Sequence, residues 1–216
     1  MYESDLKFIH RFIAAPGRGD ANTLLLLHGT GGNELDLLSL GRQLAPGAAL
    51  LSPRGMVLEN GKPRFFRRFA EGVFDLEDVV QRAHEVADFV RAAAAIYGFD
   101  PDRVIAAGYS NGANMAAALL LLRPEVLTGA VLFRALAPLT PRRLPELQHK
   151  SVLLSAGTQD AIIPPRRVDE LTMLLDQAGA EVSVLWQDAG HSLTANEIRE
   201  AADWIAARWG AVAEAP

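Results

Sequence analysis

Residues 24–27 are four consecutive leucines, and a strand built from them has no polar face to turn toward water. Strands with one wet side alternate apolar and polar residues, whereas an unbroken apolar run belongs to a strand covered on both faces. Sheets wrapped by helices on each side meet that condition, and chains that alternate strands with helices form them. This chain keeps the alternation. Segments 48–52, 103–107, 127–133, 151–155 and 181–186 read as further strands, and the run 8–13 as an N-terminal one. Asn33 is placed to cap a helix that carries Leu35 and Leu38 and fades near Pro46. Asp75 opens the best helix, with Val79, Ala83, Val86 and Val90 at helical spacing and Gly98 as the stop. Pro164 and Pro165 start a helix ending near Gly179, and Thr194 with Glu197 forms a capping box for the last helix, closed by Gly210. The expected fold is α/β, with a mainly parallel central sheet and helices on both faces.

The length of 216 residues suits one domain with a sizeable core. No repeat or low-complexity linker divides residues 1–210, which form a single domain, and the tail 211–216 is expected to fray. A net charge of -5 argues against a nucleic-acid partner. With no cysteine there is no disulfide framework, thiolate metal site or cysteine nucleophile. No H-x-H, H-E-x-x-H or carboxylate cluster stands at ligand spacing, so neither a metal nor a cofactor is expected. No apolar stretch approaches the roughly 20 residues of a membrane span. His10 and Arg11 interrupt the apolar N-terminal run, so no secretory signal is read and a cytoplasmic location is expected.

Ligands of parallel sheets bind beyond the carboxyl ends of the strands. The segment Gly108-Tyr109-Ser110-Asn111-Gly112 lies there, between the strand 103–107 and an apolar helix-like run. G-x-S-x-G at a strand-to-helix junction is a sharp turn that holds the serine hydroxyl out of the backbone, a candidate nucleophile. A serine needs a base to take its proton, and the base needs an acid to fix its tautomer. Of the 5 histidines, His10, His84 and His149 sit on a strand, a helix and a polar connection. His28 and His191 both follow strands; His28, in a glycine-rich turn, is assigned a structural role and His191 the role of base. Asp160, directly after the strand 151–155, is the preferred acid, with Asp188 as its rival. The turn His28-Gly29-Thr30-Gly31-Gly32 follows the leucine strand and supplies close backbone approach, with the Thr30 N–H as one oxyanion donor and the Asn111 N–H as the other. It lacks the G-K-[ST] ending of a phosphate loop and the spacing of a dinucleotide turn.

Four ordered segments, LLHGTGGNE (26–34), GYSNGAN (108–114), GTQDAIIP (157–164) and GHSL (190–193), resemble those of the α/β-hydrolase superfamily. Over roughly 23–209 the chain is similar to the compact phospholipase/carboxylesterase, acyl-protein thioesterase-like family. RFFRRF (64–69) and the GYSNGAN form look most like its bacterial branch, which includes hydrolases associated with hydroquinone response. The resemblance implies an α/β-hydrolase fold with Ser110 as nucleophile, Asp160 as acid, His191 as base, and the Thr30 and Asn111 N–H groups as the oxyanion hole. Depalmitoylating members usually carry Gln after the serine and a small Ser-Gly-like segment after the following strand. Here Asn111 and Phe133-Arg134-Ala135 stand instead, which argues against long-chain thioesters.

The connection 54–74 has little periodicity and carries Phe65, Phe66, Phe69 and Phe74 among Arg64, Arg67 and Arg68. Most of these phenylalanines are expected to plug the core and the arginines to be solvated; Phe66, Phe133 and Arg134 are assigned to the pocket wall. No segment is long enough for a large helical lid, so a shallow, open cleft is expected. The expected function is a serine carboxylesterase for short-chain or compact aromatic esters. The alternatives are an acyl-protein thioesterase or lysophospholipase, and a non-catalytic binding protein on a hydrolase fold. The partner is a small-molecule ester, and the protein a monomer or homodimer in which Trp204 and Trp209 belong to the core or to an interface.

Overall fold

The computed structural model describes residues 6–17 and 21–210, so the expected frayed tail 211–216 lies outside the described residues. The leucine strand, β2 (Thr23–Leu27), is buried at every position. It is followed by α1 (Leu38–Leu44) and β3 (Ala49–Pro53), and preceded by β1 (His10–Ile13). After β3 come two short hairpins, β4 (Val57–Glu59) with β5 (Lys62–Arg64) and β6 (Arg68–Ala70) with β7 (Val73–Phe74). The chain continues through α2 (Leu76–Tyr97), β8 (Val104–Tyr109), α3 (Asn111–Leu122) and β9 (Gly129–Phe133). It ends with β10 (Ser151–Gly157), α4 (Pro165–Gln177), β11 (Glu181–Gln187) and α5 (Ala195–Trp209). One sheet has the order β1-β3-β2-β8-β9-β10-β11. All its pairs are parallel except β1 with β3. This is the α/β-hydrolase fold expected from the sequence.

Side chains leaving the two faces of the sheet enter two separate cores. Leu25, Leu27 and Ala106 pack with α2, α3 and α4, while Leu24, Leu26 and Ile105 pack with α1 and α5. Each fully buried leucine contributes about 1.5–3 kcal/mol, so β2 alone anchors both layers. Trp204 and Trp209 pack edge to face against the second core, with ring centroids 5.3 Å apart. The helix signals act at α2, where Asp75 accepts from the Asp78 N–H at 3.2 Å and Gly98 adopts φ 74°. At α5 the Thr194/Glu197 capping box is complete.

Two local readings need correction. Asn33 does not cap α1: its Oδ1 accepts from the Leu35 N–H at 2.8 Å, an Asx-type turn, and the helix begins only at Leu38. The connection 54–74 is not featureless, because Asn60 (φ 52°) and Gly61 (φ 77°) form a tight hairpin turn between β4 and β5.

β8 passes into α3 through Ser110 alone. A β-carbon on Gly112 would collide with the Leu27 carbonyl at the end of β2, where backbone cannot yield. Gly112→Ala is therefore expected to lower the unfolding free energy by about 3 kcal/mol. Gly47→Ala, whose new carbon meets nothing within 4 Å, should leave it unchanged or raise it by up to about 1 kcal/mol. Urea unfolding of both variants reads the difference.

Candidate active site

The chain leaves β2 toward β3 on one side of the sheet and leaves β8 toward β9 on the other. Connections that diverge from adjacent strands open a crevice at their carboxyl ends. The turns 28–32 and 108–112 meet there, packed so closely that a β-carbon on Gly29 would lie 2.8 Å from the Tyr109 ring.

Ser110 has φ 53° and ψ -115°, and its N–H donates to the Phe133 carbonyl at 2.9 Å. Positive φ on a non-glycine residue costs about 1–3 kcal/mol, and the contacts around the turn hold it. The hydroxyl lies 3.0 Å from His191 Nε2, and His191 Nδ1 lies 2.7 Å from Asp160 Oδ2. The Asp160 side chain is fully buried, and its other oxygen accepts the N–H groups of Ile162 and Ile163 at 2.8 and 3.0 Å. The loops carrying Asp160 and His191 extend the β10–β11 pairing: Thr158 N–H donates to the Gln187 carbonyl and Gln159 N–H to that of Ala189. Ser110, His191 and Asp160 thus form one hydrogen-bonded line, an arrangement able to move a proton from a hydroxyl to an imidazole. The rival Asp188 is turned away, its carboxylate accepting from Gln159 Nε2 at 2.6 Å.

Thr30 lies in the 28–32 turn, and Asn111 directly follows the serine in the 108–112 turn. Asn111 opens α3, so its N–H is among the first-turn donors that no helix carbonyl takes. A single strap supports both residues. Arg64 Nη1 donates to Thr30 Oγ1 at 2.7 Å, Gly31 N–H to the Pro63 carbonyl at 2.9 Å, and Phe65 N–H to Asn111 Oδ1 at 2.8 Å.

The family model for phospholipase/carboxylesterase matches residues 9–208. The chain belongs to the phospholipase/carboxylesterase family. It is 51% identical over 183 residues to MhqD of Bacillus subtilis (strain 168), covering 85% of this chain and 92% of that protein. A solved carboxylesterase of Bacillus cereus is 45% identical, with TM-score 0.93 over 96% of this chain and 97% of that one. A carboxylesterase from Mesorhizobium loti is 31% identical, with TM-score 0.87 over 94% and 96%. The protein is thus a hydrolase-family chain of the carboxylesterase type. Among the described residues, no helix is long and apolar enough to cross a membrane.

The three residues expected in the pocket wall lie elsewhere. Phe66 and Phe133 are fully buried in the cores on opposite faces of the sheet. Arg134 is likewise fully buried, in a bidentate ion pair with Glu197 at 2.7 and 2.9 Å. Of the aromatic connection, Phe65 joins the core and Phe69 stands exposed. Arg67 and Arg68 are solvated only in part, being paired with Asp75 and Glu59. A cavity of about 730 Å³ lies at the amino ends of the strands, bordered by Asn22, Ala48 and Arg103, remote from Ser110. The sequence offers no signal for the Arg134–Glu197 pair: the partners are 63 residues apart, and Glu197 reads only as a helix cap.

The two histidines that follow strands differ in surroundings. His28 Nδ1 lies 2.7 Å from the Gly29 carbonyl, while Nε2 accepts the Gly55 N–H at 2.9 Å, so the ring is neutral with its proton on Nδ1. Burial holds its pKa below the ordinary 6.5. The unfolded imidazole takes up a proton near 6.5, the folded one only at lower pH. Below that value the unfolded state binds more protons, and His28 makes stability fall as pH falls. Melting temperatures of the parent and His28→Gln between about pH 7 and 5 should show a steeper decline in the parent. Equal slopes would remove this account.

Proposed function

We propose that the chain is a serine carboxylesterase that hydrolyses short-chain or compact aromatic carboxylic esters through an acyl-enzyme intermediate. The observation that carries this reading is the line Ser110 Oγ–His191 Nε2–Asp160, with separations of 3.0 and 2.7 Å. The kinship with solved carboxylesterases supports it. Ser110 Oγ attacks the ester carbonyl carbon while His191 Nε2 takes its proton. Asp160 accepts from His191 Nδ1, which fixes the tautomer with Nε2 as the acceptor, and stabilises the imidazolium that forms. The carbonyl oxygen, now an anion, is received by the N–H groups of Thr30 and Asn111, and loss of one such donor costs about 3–4 kcal/mol. His191 returns the proton to the departing alcohol. A water molecule, deprotonated by the same nitrogen, then attacks the acyl-serine, and Ser110 leaves with the proton from His191.

Support for small esters comes from the connections that leave the carboxyl ends of β3 and β9, which carry hairpins and turns rather than a helical lid among the described residues. Asn111 also engages the Phe65 N–H with its side chain, which ties the residue after the serine to the strap instead of leaving it free for an acyl chain.

Ser110→Ala should lose on the order of 10⁶-fold in kcat toward p-nitrophenyl acetate and all labelling by a fluorophosphonate. Full turnover by that variant would sink the proposal. Ligand binding by the parent without turnover or labelling would mark a non-catalytic binding protein. Asp160→Asn is expected to cost about 10⁴-fold in kcat through the wrong imidazole tautomer. Comparison of acetyl, octanoyl and palmitoyl esters settles the acyl preference, with rates rising steeply toward palmitoyl favouring a thioesterase or lysophospholipase instead.

A further inference from the structure

We propose that Arg134, held by Glu197, is a positioning residue that fixes the main chain on both sides of His191 and so sets where its imidazole stands between Ser110 and Asp160. The proposal rests on the reading of His191 as the base.

Arg134 Nε donates to the Gly190 carbonyl at 2.9 Å and Nη2 to the Ser192 carbonyl at 2.8 Å, the carbonyls of the residues on either side of His191. The carbonyl between them, that of His191, accepts from the Tyr109 hydroxyl at 3.1 Å. Three successive carbonyls of the base's loop are therefore taken by side chains that leave the carboxyl ends of β8 and β9. Burial pushes the Tyr109 phenol up, so it stays a protonated donor. Arg134 also reaches toward the acid: its N–H donates to the Ser155 carbonyl at 2.9 Å, and Nη1 lies 3.3 Å from the same oxygen, on the strand that leads to Asp160.

Glu197 completes the arrangement. Besides Arg134, it accepts from the Ser155 hydroxyl and from the Thr194 N–H. Burial works to raise its carboxyl, but the hydrogen bonds from Arg134, Ser155 and Thr194 outweigh it and leave the group below its usual range. The pair is not a cheap source of stability. Both side chains are fully buried, and Arg134 has φ 56°, a conformation unfavourable for a residue with a β-carbon. Buried ion pairs are often matched or bettered in stability by apolar replacements, so the geometry they impose is what distinguishes them. Here that geometry is a planar fork with donors directed at both flanks of His191, which a lysine ammonium does not reproduce.

The test compares Arg134→Lys and the double variant Arg134→Met/Glu197→Gln with the parent. The double variant leaves no lone buried charge, and Gln keeps the capping box. The readouts are melting temperature, kcat and KM for p-nitrophenyl acetate, and the low-field proton resonance of His191 Nδ1–H, assigned by its change in Asp160→Asn. Both variants should fold, and in the double variant kcat should fall about 100-fold, the effect of roughly 1 Å misplacement, with KM within about twofold. Its His191 resonance should broaden or shift, and Arg134→Lys should lie between the two. If the double variant does not fold, Arg134→Lys decides by the same readouts. An unchanged kcat and resonance in a folded variant overturn the proposal. So does a joint fall of melting temperature and kcat with the resonance intact, which marks general loosening. The resonance belongs to the resting protein, so a parent that turns over no ester overturns the esterase reading while the resonance still decides this one.

Discussion

The passage from β8 into α3 is made by one residue, and the whole carboxyl end of the sheet depends on the space that turn requires. Ser110 is held at φ 53° because α3 starts immediately and lies against the end of β2. Any side chain at Gly112 would strike the Leu27 carbonyl, and one at Gly108 would strike the first turn of α3. Because helix and strand touch at backbone level, the 28–32 turn is brought against the 108–112 turn, and the strap 63–65 can reach both. The other strands then set the remaining positions by register: Tyr109 stands opposite Phe133, and Gly157 opposite Gln187, so Asp160 and His191 follow neighbouring strand ends.

Polarity is distributed unevenly along those strands. Their middles are apolar on both faces, while buried Asn111, Asn114, Arg134, Asp160 and Glu197 gather at or beyond their carboxyl ends. A buried polar group is costly unless its partners are supplied: Asn114 Oδ1 accepts from the Leu136 N–H at 2.9 Å, Asp160 accepts from two backbone N–H groups as well as from His191, and Asn111 Oδ1 accepts from Phe65, while the Asn111 amide nitrogen has no partner among the described residues. Such networks rigidify what they hold. His28 and His191 show the consequence of placement. One imidazole is locked as a neutral brace between two peptides, and the other faces a carboxylate and a hydroxyl.

Much of this was readable from residue order. The unbroken leucines specified a strand covered on both sides, the spacing from Leu76 to Ala94 specified a long amphipathic helix, and Thr194 with Glu197 specified the start of the last one. Placement just past strand ends singled out Ser110, Asp160 and His191 before any distance was known. Three things escaped. The Asn60-Gly61 hairpin was overlooked in a stretch judged by periodicity, which short strands do not show. Asn33 closes a turn where a helix cap is expected, because Asn serves turns and helix ends alike. Phe66, Phe133 and Arg134 are buried rather than in a pocket wall, since proximity in sequence to a strand end does not say which way a side chain points.

The sequence alone determined the layered α/β architecture, the parallel run of the sheet and the placement of Ser110, Asp160 and His191 just past strand ends. Those follow from local pattern, because periodicity and turn chemistry act between residues a few positions apart. Only the tertiary structure decided what surrounds them. That Arg134 grips the chain on both sides of His191, and that Arg64 and Phe65 brace Thr30 and Asn111, are consequences of contacts across 34 to 58 residues. Such contacts arise from the stacking of neighbouring strand ends, and a linear order of side chains carries no record of them.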